Sequence, residues 1–150
     1  LDVWGPGAHT GTFRGNQLAM AAGTVVMNKV NTPDFLAEVV EKGEIFAKRI
    51  EELKAKVSII GDIRGKGLMR GIEFIDPKSE ADHLGTKKAS GDIAAKVQKR
   101  CFENKLVMEK GGRNGAVMRC LCALNITKED LNKALDIIEK VVIEVDLEQK

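Results

Sequence analysis

The sequence has little net charge, no long apolar run and few cysteines. Its 150 residues hold 24 Lys and Arg against 22 Asp and Glu, a formal net charge of +2. This balance argues against a general binder of nucleic acid or acidic membranes, which needs a concentrated positive field. No run approaches the roughly 18 apolar residues of a membrane-spanning helix. Three cysteines are typical of a reducing compartment rather than of a disulfide framework, so we expect a cytoplasmic α/β protein.

The sequence also lacks an initiator methionine. Leu1 is followed almost at once by Gly5-Pro6-Gly7, a combination typical of a loop. We expect a piece cut from a longer protein rather than an N-terminus made by processing. The piece itself has the composition of one globular domain, because 43% of its residues are hydrophobic and 31% are charged.

Hydrophobic periodicity predicts the order helix, helix, strand, helix, strand, strand, helix. The first helix follows Asn16 and is apolar around most of its circumference, so we expect it to be buried on several sides. The other helices are predicted to start near Pro33, Ser90 and Thr127, which have the chemistry of helix N-termini. The strands are predicted at residues 68–75, 106–108 and 116–121. This order favours a small sheet covered by helices on one face.

Three patterns that elsewhere mark phosphate, dinucleotide or metal sites do not meet their requirements. Segment 61–67 ends on glycine rather than on the Ser or Thr of a P-loop. Segment 65–70 has arginine where the dinucleotide fingerprint needs its third glycine, and it leads into a strand. Cys120 and Cys122 have no second cysteine pair, so we expect no metal site.

Segment Gly7–Asn16 is different, because it combines glycines, threonine hydroxyls and an arginine just before a helix. Backbone N–H groups at glycines and the positive end of a helix together favour a bound anion. A plain capped loop explains the same residues equally well, and the residues alone leave both interpretations open.

Three ordered stretches resemble class III pyridoxal-phosphate aminotransferases. Residues 7–22 resemble the segment that begins the last third of those chains, with Phe13-Arg14 inside it, and residues 63–69 resemble their Arg-Gly-x-Gly-Leu strand entry. Residues 117–131 resemble their Arg-x-x-Pro-Pro-Leu strand and final helix. The resemblance covers essentially the whole sequence and implies the C-terminal portion of a fold-type I enzyme.

The resemblance implies a domain organisation as well as a fold. Residues 1–31 would form a phosphate-binding loop and a domain-linking helix. Residues 32–150 would form the small α/β domain, of the α+β kind, in which a small sheet is covered by helices.

The resemblance also implies roles for single residues. Thr12 matches the threonine that binds the cofactor phosphate in the neighbouring subunit's site, which implies a homodimer. Gly11 matches the adjoining position, commonly serine in relatives, and could contribute only its backbone. Arg119 matches the arginine that pairs with a substrate carboxylate, a task suited to its planar fork of donors. From the residues alone, a surface ion pair on an edge strand is the alternative for Arg119.

One departure from the family pattern follows directly after that arginine. Cys122-Ala123 replaces the usual Pro-Pro, which leaves the backbone path after the strand open.

The implied reaction is transfer of an amino group between a diamino acid, 2,4-diaminobutyrate, and 2-oxoglutarate, with pyridoxal 5'-phosphate as the cofactor. The family's Schiff-base lysine precedes the Thr12 loop by some thirty residues, so we expect this stretch of chain to be inactive alone. Two alternatives stay open: another class III enzyme, such as an aminomutase, racemase or decarboxylase, and a noncatalytic binding module of the same fold.

Overall fold

The computed structural model describes residues 3–8 and 10–150, which form two units, Leu1–Ala37 and Glu38–Lys150. The helices and strands are α1 Gln17–Val30, α2 Pro33–Lys54, β1 Ile60–Lys66, β2 Met69–Phe74, α3 Gly91–Glu103, β3 Glu109–Gly111, β4 Val117–Leu121 and α4 Lys128–Leu147. In this described part of the chain, no helix is both long enough and apolar enough to cross a membrane.

Tight turns lead into α1 in the first unit. The N–H of Arg14 donates to the carbonyl of Gly11 at 3.1 Å, which closes one turn. Asn16 then caps the helix, because its side-chain oxygen accepts the N–H of Ala19 at 3.0 Å. The predicted helix is confirmed, and its start is set by this cap.

The prediction that α1 is buried on several sides is wrong for this chain. None of its 14 residues is buried, and Leu18, Val25 and Met27 are among its exposed apolar side chains. Its unit contains the loop, α1 and the first turn of α2, and so has no sheet against which a helix could pack.

The second unit contains a four-stranded antiparallel sheet in the order β1-β2-β4-β3. Ile72 of β2 pairs with Met118 of β4, and both side chains are fully buried on one face. Helices α2, α3 and α4 contribute most of the rest of that core. Its largest members include Phe46, Ile50, Phe74, Val97, Leu135, Ile138 and Val142. The predicted sheet with helices on one face is therefore confirmed.

The predicted helix starts in this unit are confirmed by their caps. The hydroxyl of Ser90 accepts the N–H of Ile93 at 3.3 Å, and that of Thr127 accepts the N–H of Asp130 at 3.0 Å. The apolar stripe of α4 is buried as its spacing predicts.

Two predictions about strands need correction. Strand β1 was not expected, because its glycines and a register irregularity between Ile60 and Asp62 hide the alternation of a strand. The strand predicted at 106–108 lies at Glu109–Gly111 instead. The carbonyl of Met108, just before this strand, accepts a hydrogen bond from the side-chain amide of Gln98 on α3 at 2.9 Å.

Gly43 lets α2 approach the β1–β2 turn. A Cβ on Gly43 would stand 2.4 Å from the carbonyl oxygen of Gly67, well inside van der Waals contact. Arg70 fixes this contact, because its guanidinium donates to the carbonyls of Gly43, Gly65 and Gly67 at 3.2, 3.1 and 2.9 Å. The helix therefore tolerates a residue of low helix propensity for the sake of close packing.

Asp146 ties the end of α4 to the segment before β1. Its buried carboxylate accepts the N–H and the hydroxyl of Ser58 at 2.6 and 2.7 Å. Burial alone would raise the pKa of Asp146, but the hydrogen bonds from Ser58 and the charge of Lys150 outweigh it, and the pKa is lowered.

Candidate functional site

Arg119 lies at the centre of β4, on the face of the sheet that no helix of the second unit covers. Its neighbours in register are Gly71 on β2 and Glu109 on β3. Successive side chains of a strand alternate between faces, so Arg119 points away from the core that holds Met118 and Cys120. The strand therefore presents one cation between two buried residues, as the sequence pattern predicts.

Arg119 forms an ion pair with Glu109. Nη2 of Arg119 donates to Oε1 of Glu109, and the two side chains are 45% and 55% exposed. Nη2 belongs to both edges at which a guanidinium can bind a carboxylate with two parallel hydrogen bonds. Glu109 uses one of the two hydrogens on Nη2, so it competes with a substrate carboxylate for one edge of the guanidinium and leaves the other edge open. Because an exposed ion pair contributes about 0–1 kcal/mol, this competition costs little.

Two glycines leave room around the guanidinium. Gly71 supplies no side chain on the β2 side of Arg119. On the β3 side, a Cβ on Gly111 would lie 3.2 Å from Nη2 and 3.3 Å from Nε of Arg119. The guanidinium therefore lies directly against the bare backbone of β3, which fixes one of its sides and leaves the other accessible.

A cavity of about 330 Å³ adjoins the ion pair. Arg119 and Glu109 are the charged residues of its lining. The apolar part of the lining includes Phe46, Leu106, Leu121, Ile126, Leu131 and Leu135. Phe46, Leu131 and Leu135 belong to the buried core on the other face of the sheet, so they do not enclose the Arg119 guanidinium.

The backbone path after Arg119 is short. Strand β4 ends at Leu121, and a turn closed by the N–H of Ile126 on the carbonyl of Ala123, at 3.0 Å, leads to α4.

Burial raises the pKa of the Cys120 thiol to about 12, with smaller contributions from the other two cysteines. Burial also raises the pKa of Cys122. Both thiols stay protonated near neutral pH and act as small apolar side chains.

Thr12 lies in the turns before α1 and is exposed. Among residues 3–8 and 10–150, no group forms a hydrogen bond with its hydroxyl or with its N–H. Gly11 precedes it, and the side chain of Arg14 lies against Gly11. A hydroxyl, a backbone N–H and an adjacent guanidinium are the donors that bind phosphate oxygens, so these residues fit a phosphate group.

The N-terminus of α1 offers fewer free N–H donors to an anion than the sequence predicts. Asn16 satisfies the N–H of Ala19 with its own side chain, so that donor is not available to an anion. The anion interpretation of this segment therefore depends on the loop residues. His9, in the same segment, lies outside the described residues.

The structure brings Gly11 and Thr12 together in one turn of the first unit and holds Arg119 in the second. No group of three or more His, Cys, Asp or Glu residues that could hold a metal ion occurs where the structure is described. Sequence reasoning missed Glu109. The alternation of β3 against β4 would have revealed it, had the strand been predicted in the observed register.

Comparison with known proteins identifies similar sequences. The family model for class-III aminotransferases matches residues 1–142. The diaminobutyrate–2-oxoglutarate aminotransferase of Haemophilus influenzae is 39% identical over 144 residues, which are 96% of this chain and 32% of that protein. The diaminobutyrate–2-oxoglutarate transaminase of Halomonas elongata is 41% identical over 143 residues, or 93% and 31% of the two chains. This chain thus spans about a third of the length of the curated relatives it matches.

Solved structures show the same fold. The acetylornithine aminotransferase of Elizabethkingia anophelis superposes with a TM-score of 0.70 at 30% identity, covering 95% of this chain and 32% of that one. A transaminase from the marine bacterium Virgibacillus superposes with a TM-score of 0.78 over 98% of this chain and 33% of that one. At 17% identity the second likeness concerns the fold alone.

Proposed function

The chain belongs to the class-III aminotransferase family, and from this premise we propose that the intact protein transfers an amino group between 2,4-diaminobutyrate and 2-oxoglutarate. The names of its relatives from Haemophilus influenzae and Halomonas elongata support this choice of substrates. Both proposed substrates carry a carboxylate, and the amino acid carries two amines. The site must therefore bind a carboxylate without excluding a cationic substrate.

The observation that carries the proposal is the exposed pair of Arg119 and Glu109. Arg119 offers its fork to the carboxylate that each substrate presents in turn, while Glu109 keeps the charge balanced between turnovers. Glu109 provides a carboxylate beside the bound substrate, which favours a substrate that also carries an amine. Arg119 thus orients the substrate through its guanidinium.

In the first unit, Thr12 and the backbone of Gly11 would hold the phosphate of pyridoxal 5'-phosphate. Pyridoxal phosphate, when bound, supplies the carbonyl group and the electron-withdrawing ring on which amino transfer depends. Thr12 would donate its hydroxyl and its N–H to phosphate oxygens, so its task is retention and orientation. We propose that this occurs in a homodimer, with the loop completing the neighbouring subunit's site, and that the enzyme is cytoplasmic.

The proposal assigns no catalytic lysine to this stretch of sequence. Its lysines follow the Thr12 loop, whereas the resemblance implies a lysine before it. The 150 residues alone are therefore expected to be inactive, because they hold residues that bind the phosphate and the carboxylate but not the residue that moves the proton.

The test is a product assay of the intact protein loaded with pyridoxal phosphate. We expect glutamate and aspartate 4-semialdehyde in equal amounts from 2,4-diaminobutyrate and 2-oxoglutarate. Carbon dioxide, the mirror-image amino acid or a positional isomer in place of glutamate would instead identify a decarboxylase, racemase or aminomutase. No turnover together with no cofactor binding would identify a noncatalytic module.

A further inference from the structure

The side chain of Arg14 lies beside the backbone of Gly11. The position that a Cβ would take on Gly11 is 2.9 Å from Nε of Arg14 and 3.2 Å from its Cγ and Cδ. The Arg14 side chain therefore occupies the volume in which any other residue at position 11 would begin its own side chain. Gly11 accommodates an arginine that lies back along the loop, one residue away from Thr12.

The surrounding sequence concentrates positive charge at this loop. Between Val3 and Pro33 there is no Asp or Glu, and the arginine and lysine side chains are Arg14 and Lys29. Lys29 belongs to the last turn of α1, roughly 20 Å along the helix from its N-cap at the usual rise per residue. Arg14 is therefore the basic side chain of this segment that lies nearest to Thr12 in sequence.

Thr12 alone is a weak binder of a doubly charged phosphate. Its hydroxyl and N–H are neutral donors, and Gly11 adds no side-chain donor of its own. A guanidinium would add a positive charge and can donate two hydrogen bonds to one phosphate group. The stem of Arg14 lies against Gly11, and the N–H of Arg14 donates to the Gly11 carbonyl, so Arg14 and Thr12 belong to the same turn.

We propose that Arg14 binds the phosphate of pyridoxal phosphate together with Thr12, and that Gly11 is required because it makes room for Arg14. The inference depends on the proposed function for the presence of the phosphate at Thr12. It adds a charged residue to that site and assigns a steric role to Gly11, which otherwise contributes only its backbone.

The experiment measures the affinity of the intact apoenzyme for pyridoxal phosphate and for pyridoxal, which lacks the phosphate. Dissociation constants are obtained from the absorbance change on titration. We expect Arg14→Ala to raise the constant for pyridoxal phosphate about tenfold or more and to leave that for pyridoxal within twofold. Arg14→Lys should recover part of the loss, because it keeps the charge without the fork. Lys29→Ala is the matched control and should change neither constant.

A double-mutant cycle tests the steric role of Gly11. Gly11→Ser places a Cβ where the Arg14 side chain lies, so it should weaken binding of pyridoxal phosphate in the wild-type background. In the Arg14→Ala background the same substitution should have little further effect, since there is no longer an arginine to displace. Additive losses would contradict the proposed link between the two residues.

The outcomes separate this inference from the proposed function. If Thr12→Val weakens binding of pyridoxal phosphate and neither Arg14→Ala nor Arg14→Lys does, the inference is wrong and the phosphate site stands. If none of the three variants has an effect, the phosphate site itself is wrong. If Arg14→Ala weakens pyridoxal as much as pyridoxal phosphate, Arg14 has only a structural role. Should Arg14→Ala fail to fold, Arg14→Lys and the two-ligand comparison decide.

Discussion

The two units of the chain use their apolar residues in opposite ways. Helix α4 places its apolar residues on one stripe, and that stripe is buried against the sheet. Helix α1 spreads its apolar residues around the circumference, and none of them is buried. A helix with one apolar face can be satisfied by a single neighbour, whereas a helix that is apolar all round needs several. The described residues therefore leave the apolar surface of α1 exposed.

The two candidate anion sites differ in a related way. In the first unit, the hydroxyl and N–H of Thr12 have no acceptor among the described residues. In the second unit, Arg119 already has Glu109 as an internal acceptor. The loop is therefore expected to bind a phosphate without a competing acceptor, and the sheet to bind a carboxylate in competition with Glu109.

The largest expected difference between the units is in stability. Leu135→Ala removes a fully buried side chain from α4 and should lower the free energy of unfolding by about 2–5 kcal/mol. Leu18→Ala removes a side chain that is 82% exposed on α1 and should change it by no more than about 0.5 kcal/mol. Urea unfolding of the 150-residue chain compares the two. Equal losses would mean that α1 is packed as firmly as α4.

The next effect concerns the loop. Thr12→Val removes a hydroxyl donor to a charged group and should weaken retention of pyridoxal phosphate by about 1.5–3 kcal/mol in the intact enzyme. Substrate affinity should change less. Thr24→Val is the matched control, because the Thr24 hydroxyl donates to the carbonyl of Met20 inside α1. Equal loss of cofactor from both variants would remove Thr12 from the phosphate site.

A smaller effect is expected on the pH dependence of the second unit's free energy of unfolding. The pKa of Asp146 is lowered in the folded state, so its carboxylate stabilises the fold above the unfolded pKa of about 3.9. This contribution should disappear as the pH falls through the lower folded pKa. Asp146→Asn should flatten the acid side of a plot of unfolding free energy against pH, and Ser58→Ala should do so in part. Parallel curves for wild type and Asp146→Asn would contradict the assignment.

The smallest effect tests whether Glu109 competes with a substrate carboxylate for Arg119. Glu109→Gln keeps the size of the side chain but removes the charge that competes with a substrate carboxylate. The Michaelis constant for the oxo acid should fall, by an amount worth at most about 1 kcal/mol, because the pair is exposed. The constant for the diamino acid should fall less or rise, since its amines lose a nearby carboxylate. A higher constant for the oxo acid would show that Glu109 supports Arg119 rather than competing with it.

Periodicity and caps were sufficient to predict the helices and the single covered face of the sheet. Ser90 and Thr127 act as local signals, because a cap is made within four residues of sequence. Strand β1 was missed because its partners are residues of β2 rather than of its own segment. The register of β3 was missed for a similar reason, since the contact of Gln98 with Met108 links two separate segments.

In the candidate site, too, the contacts between separate segments could not be predicted from the sequence. The resemblance implied site roles for Thr12 and Arg119, whose motifs are contiguous in sequence, and these roles stay predictions. Glu109 was found only in the structure, because its pairing with Arg119 depends on the strand register. The relation of Gly11 to Arg14 depends on the path of one side chain, which no local pattern records.

The most direct test of the account is the steady-state kinetics of Arg119 variants in the intact enzyme. If Arg119 binds the carboxylate of both substrates, Arg119→Ala should raise the Michaelis constants for the diamino acid and for the oxo acid by the equivalent of about 2–5 kcal/mol, and Arg119→Lys should recover part of this. The absorbance of the bound cofactor should stay nearly unchanged. Normal Michaelis constants for both substrates in Arg119→Ala would show that Arg119 is only a surface partner of Glu109 and would contradict the account.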